Sequence, residues 1–149
     1  MAVLVKPSHL MAPTAASARR TVRSALRLLL AAIMVSAGVL HFVRPSGFVK
    51  IVPAVFPAPY LLVFVSGAFE ILGGLGLLYR PTRRFASYGL IALFVAVFPA
   101  NINMAVNDIQ PADMHIPESL LWLRLPLQAL LIAWAWWVGR SPALSDNAG

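Results

Sequence analysis

Four long apolar stretches, residues 25–43, 59–79, 85–106 and 120–139, make up more than half of this 149-residue chain. Each comes close to the roughly 20 helical residues needed to cross a hydrocarbon core about 30 Å thick. Both parities are apolar within them, as in Leu61-Leu62-Val63-Phe64-Val65. That excludes the alternating strands of roughly 9–11 residues that build membrane barrels. A segment isolated in lipid must satisfy its own backbone hydrogen bonds, so the stretches read as helices. The expected fold is all-α: a four-transmembrane-helix bundle.

Composition supports this, with 60% hydrophobic and 11% charged residues, where soluble domains carry about 25% charged. The 12 Lys+Arg against 5 Asp+Glu report topology, because short cytoplasmic loops retain basic residues. With the N-terminus inside, Lys6, Arg19, Arg20, Arg23, Arg27, Arg80, Arg83, Arg84 and Arg140 are cytoplasmic, and only Arg44 and Lys50 are exported. Both termini are then cytoplasmic, and Asp108, Asp113, His115 and Glu118 are external. Basic residues divided among loops in this way weigh against nucleic-acid binding. The chain has no cysteine, which removes disulfides, thiolate nucleophiles and thiolate metal sites. No second histidine or carboxylate stands at ligand spacing from His41, so no metal site is expected.

The expected organisation is a basic, disordered cytoplasmic tail over 1–24, a transmembrane domain over 25–139 and a second cytoplasmic tail over 140–149. An alternative treats residues 28–35 as the core of a signal peptide cleaved after Ala37. The apolar run continues to Val43 and favours a retained span. Pro53, Pro57 and Pro59 prevent a spanning helix between the first two stretches. Phe48, Ile51, Val52 and Val55 recur at helical spacing there, predicting a short outer segment over the bundle mouth. Trp122, Trp134, Trp136 and Trp137 lie toward the ends of the fourth span, as an aromatic belt does.

Ionisable groups at membrane depth are costly and need a partner or a purpose. Glu70 shares a helical face with Ser66, Gly67, Gly73 and Gly74, the small residues that allow close helix packing. Its side chain is therefore expected in the bundle. Arg124, with Gln128 one turn on, falls at a depth from which it could reach Glu70. A purely structural Glu70–Arg124 ion pair and an Arg124 that snorkels outward are both open readings. His41 shares a face with Met34, Ala37 and Gly38. In the third span Asn103 aligns with Gly89, Ala92, Ala96 and Pro99 and is expected to face the bundle. Asn101 is expected on a bulkier surface. Either amide could serve only the carbonyl freed by Pro99.

His41, Glu70, Asn103 and Arg124 thus come from four helices and fall in the outer half of the membrane, predicting an outward-opening polar pocket lidded by residues 48–56. Bundle-core sites are built this way. Glu70 and His41 are the candidate catalytic pair; Asn103, Asn101, Arg124, Ser66 and Gln128 are the candidate ligand-binding residues. The inner half carries no comparable group in this reading.

Gly38-Val39-Leu40-His41-Phe42, Ile51-Val52-Pro53, Ser66-Gly67-Ala68-Phe69-Glu70-Ile71-Leu72-Gly73-Gly74, Pro81 with Arg83-Arg84, and Phe98-Pro99-Ala100-Asn101 resemble the DoxX-like family of small four-helix membrane proteins. The resemblance covers about residues 28–138. It implies a four-helix bundle associated with membrane redox chemistry, since the family name derives from a subunit associated with thiosulfate:quinone oxidoreduction. A quinone-like amphiphile is then the candidate ligand, and a redox protein the candidate partner. The bundle is also similar in architecture to vitamin K epoxide reductase, whose cysteine-dependent activity cannot transfer to a cysteine-free chain. Three functions remain open: a redox-associated subunit that binds a hydrophobic small molecule, a non-catalytic anchor or assembly subunit, and transport of a small solute or protons. The lipid bilayer is the expected environment, a homo-oligomer is open, and short loops with positive-inside bias suit a bacterial inner membrane.

Overall fold

A computed structural model describes residues 15–110 and 116–140. The helices are α1 (Ala15–Val43), α2 (Pro45–Val49), α3 (Pro59–Leu78), α4 (Arg83–Val106) and α5 (Glu118–Gly139), with no strand among the described residues. All but α2 are long and apolar enough to span a membrane, which makes this a multi-pass membrane bundle. Residues 1–14 and 141–149 of the expected tails, and the external Asp113 and His115, lie outside the described residues. We call the end carrying residues 44–58 the outer end, following the charge distribution.

The first helix begins ten residues before the apolar stretch does, at Ala15. Alanine and arginine are strong helix formers, so helix geometry continues where hydrophobicity has stopped. Residues 15–24, expected as part of a disordered tail, are helical. At its other end α1 stops at Val43 because Pro45 drives Arg44 out of the helical region, to φ −136° and ψ 59°. Pro45 and Pro59 each occupy the first turn of the helix they open, where the missing N–H has no intrahelical partner to lose. The four-residue turn 79–82 between α3 and α4 is held closed from both sides. Thr82 Oγ1 donates to the Gly76 and Tyr79 carbonyls at 2.9 and 3.2 Å, and Arg83 Nε to the Leu77 carbonyl at 3.1 Å.

Glycines set how closely α1 and α3 cross. A Cβ on Gly38 would lie 2.5 Å from the Gly67 carbonyl oxygen, and one on Gly74 would lie 2.9 Å from that of Ala31. Together with the contact of Gly67 on His41 Cβ, these antiparallel contacts put Val43 level with residues 62–65 of α3, so α1 ends about 5–9 Å short of the outer end of its neighbour at 1.5 Å per residue. Residues 45–58 fill the space left above it. At the opposite end α1 is clasped to α5: Arg27 Nε and Nη2 donate to the Val138 carbonyl at 3.2 and 3.1 Å, and Arg23 Nη1 to the Arg140 carbonyl at 3.2 Å. Leu30, Met34, Leu77, Leu90, Phe94, Ala135 and Val138 form the inner core. A separate outer cluster joins Met104, Ala105 and Leu121, with Ile51 of the connecting segment packed against it.

Candidate functional site

His41, on the last turn of α1, stands beside Glu70 of α3, with Nδ1 3.2 Å from Oε2 and both side chains largely buried. The same Nδ1 lies 2.8 Å from the Ala37 carbonyl oxygen of its own helix. A carbonyl can only accept, so Nδ1 carries a proton and Nε2 is left as the imidazole's free polar atom. Glu70 Oε2 is sealed from solvent and accepts no well-directed hydrogen bond. The approach of His41 is its only polar contact among the described residues. Gly67 makes the meeting possible, since a Cβ there would lie 2.6 Å from His41 Cβ. Because α1 ends below the outer end of its neighbour, His41 lies about 8–12 Å below the outer end of α3, deeper than its position near a helix end suggests.

The ring of Phe48, from α2, covers the imidazole, with centroids 3.8 Å apart and planes 22° from parallel. The segment behind it is tethered by Asn103 of α4, whose Nδ2 donates to the Ile51 carbonyl at 2.9 Å. Asn107 braces Asn103 in turn, donating from Nδ2 to its Oδ1 at 2.8 Å. Of the segment expected as an outer lid, residues 48–56, Phe48 closes directly onto His41 and Ile51 is tethered, whereas Val55 and Phe56 are exposed. Chemically, the site is a largely buried carboxylate and imidazole, able to hold one proton between them and to meet the polar atom of a ligand.

The other expected residues do not join this pair. Arg124 donates from Nη1 to Met104 Sδ at 2.8 Å, and no Glu70–Arg124 ion pair forms. Met104 is twenty-one residues, about 31 Å, above the inner end of α4, whereas Glu70 is eight residues, about 12 Å, above that of α3. An arginine on α5 also leans toward the helix N-terminus, which is outward. Ser66 Oγ bonds the Val63 carbonyl of its own helix at 2.9 Å. Asn101 Nδ2 donates to Gln128 Oε1, and Gln128 Nε2 donates to the Phe94 carbonyl. That carbonyl is adjacent to the one Pro99 frees, so Gln128 bridges α5 to both sides of the proline. The single expected pocket is resolved into two polar sites, His41–Glu70 on α1 and α3 and Asn101–Gln128 on α4 and α5.

The orientation of α4 is also reversed from expectation. Gly89, Ala92, Ala96 and Pro99 face outward, while Leu90 and Phe94 are buried. Lipid tails are as apolar as a protein core, so side-chain size and not hydrophobicity separates the two faces, and here bulk fills the core. Asn101 consequently faces α5. Asn103 reaches the bundle only through the segment over its mouth.

The inner half does carry polar groups, contrary to expectation: Arg27 is buried, Ser87 Oγ donates to the Ala135 carbonyl at 2.7 Å, and Trp134 Nε1 is buried without a hydrogen-bond partner among the described residues. Arg27 was legible by spacing, since it shares one helical stripe with Leu30, Met34, Gly38 and His41. A family model described as "Domain of unknown function (DUF8561)" matches residues 30–139, which span both polar sites. No curated protein and no solved structure matches the chain.

Proposed function

The chain belongs to the DUF8561 family, and from the site itself we propose that it binds the polar head of a quinone-like or other hydrophobic small molecule at His41 and Glu70. The observation that carries this reading is a buried carboxylate oxygen with no hydrogen bond, beside an imidazole, under a single aromatic ring. An unsatisfied buried acceptor costs about 1–3 kcal/mol, and a ligand hydroxyl or a proton delivered there removes that cost. His41 Nε2 meets the ligand's polar atom and Glu70 accepts or donates its proton, while Phe48 gives way. The likeness of the His41 and Glu70 segments to DoxX-like proteins supports a redox-associated subunit. The chain has no cysteine, so in this reading electrons would pass to a partner. Short loops and basic inner turns support a bacterial inner membrane.

The test is extraction of protein purified in mild detergent, with co-purifying molecules identified by mass spectrometry. A stoichiometric amphiphile in the wild type, lost from folded Glu70→Gln and His41→Ala variants, is the expected result. An empty wild type, or equal occupancy in the variants, removes the reading.

A second reading, an anchor or assembly subunit, is favoured by the outward small-residue face of α4, where a Cβ on Gly89 would meet nothing within 4 Å. Such faces let another transmembrane helix approach closely. Cross-linking from this face to a co-purifying redox protein, or to a second copy, would support it.

A further inference from the structure

The amide pair between α4 and α5 borders a cleft of about 150 Å³. Its walls are Phe94 and Phe98 from α4 and Leu125 and Ile132 from α5; Val95, Gln128 and Ala129 complete it. Phe98 and Ala129 are exposed on the bundle's surface while Phe94 and Gln128 are buried. The cleft therefore runs from the lipid-facing surface to a polar floor. Pro99 and Pro126 lie inside the two helices that flank it, and a proline within a helix bends it away from regular packing.

Three features define what fits. An apolar cavity of about 150 Å³ accommodates one benzene-sized ring. Two phenylalanine side chains offer faces and edges to such a ring. Gln128 is the cleft's polar lining residue and is only 5% exposed, with Oε1 held by Asn101 and one Nε2 hydrogen committed to the Phe94 carbonyl. An amide nitrogen has two hydrogens, and the second has no acceptor among the described residues. Held at both ends, the amide is already oriented before anything binds. An occupant reaches the cleft from the bilayer, because that is the side on which it opens.

We propose that this cleft is a lateral binding site for a membrane-dissolved ring bearing a carbonyl or ether oxygen, which accepts the free Gln128 N–H while the ring lies between Phe94, Phe98 and Leu125. The site is on the opposite pair of helices from His41 and Glu70 and does not depend on the function proposed for them. A straight acyl chain fills the volume but leaves the N–H unsatisfied, and so is discriminated against.

The cysteine-free chain permits a direct test with a thiol introduced by Val95→Cys, at the exposed edge of the cleft. In proteoliposomes, alkylation by a membrane-permeant maleimide is followed with increasing acetophenone or with ethylbenzene, a ring of similar shape without the carbonyl. Acetophenone is expected to protect the thiol saturably and at roughly fivefold lower concentration in the membrane, each compound's partitioning into the vesicles being measured, the worth of one net hydrogen bond. Gln128→Leu should equalise the two compounds, and Ala129→Leu, which fills the cleft without touching a hydrogen bond, should abolish protection by both. Protection that never saturates, equal protection by the two rings in the Val95→Cys protein, or protection that survives Ala129→Leu would each overturn the proposal. Because Glu70 and His41 are untouched, failure here leaves the ligand extraction unaffected, and the reverse also holds.

Discussion

His41 and Glu70 approach to 3.2 Å across two antiparallel helices because neither helix carries a side chain at the point of closest crossing. Gly38 lies against the Gly67 backbone and Gly67 against His41 Cβ. The close approach that brings the imidazole to the carboxylate also leaves both side chains largely buried, with Glu70 Oε2 sealed from the surface. The site's chemistry thus depends on two residues that contribute no functional group.

Gly67→Ala should separate the pair. A methyl group 2.6 Å from His41 Cβ must push α1 and α3 apart, and overpacking of this kind costs about 1–3 kcal/mol. Thermal unfolding in detergent should show the loss. Gly89→Ala, on the open face of α4, should be neutral or stabilising by up to about 1 kcal/mol. Equal melting of the two variants would contradict the crossing described here.

Phe48 shields the imidazole. Phe48→Ala should therefore raise carbethoxylation of His41, read by peptide mass spectrometry, by several-fold over the wild type. Asn103→Ala should raise it as well, by releasing the segment tethered at Ile51. An unchanged His41 rate in both variants would mean that residues 45–52 do not control access.

The clasp at the inner end predicts asymmetric effects of two arginine substitutions. Arg27→Met loses two charge-assisted bonds to the Val138 carbonyl, each type worth about 1.5–3 kcal/mol, and should lower stability clearly. Arg124→Met loses one contact to a thioether and should change stability little. Combined with Glu70→Gln, Arg124→Met should be additive within about 0.5 kcal/mol, as expected of distant groups; measurable coupling would restore the ion pair.

Gln128→Leu strands two polar groups, the Asn101 amide and the Phe94 carbonyl, and should cost about 1–3 kcal/mol. Adding Asn101→Leu should cost less than the sum of the single changes, because one of the stranded groups has gone. Full additivity in unfolding measurements would show that the two amides act independently.

The number of spans, the end of the first at Val43 with prolines beyond it that bar another spanning helix, and the placement of Glu70 on a glycine face were legible in the sequence, because each depends on local properties: apolar length, backbone restriction by proline, and helical periodicity. Which polar groups meet was not. One residue of slide along a helix shifts a side chain by about 1.5 Å and one residue of rotation turns it by about 100°. Register between helices therefore decides partners. Glu70 met His41 and not Arg124 because α1 ends below its neighbours and Arg124 reaches upward to Met104. Asn101 met Gln128 because Leu90 and Phe94 turn that side of α4 inward, a choice that hydrophobicity cannot signal when the surroundings are as apolar as the core. Sequence alone determined a four-helix membrane bundle with costly polar groups inside it. Only the tertiary structure decided that those groups form two separate sites, since glycine contacts and inter-helix register are properties of pairs of helices.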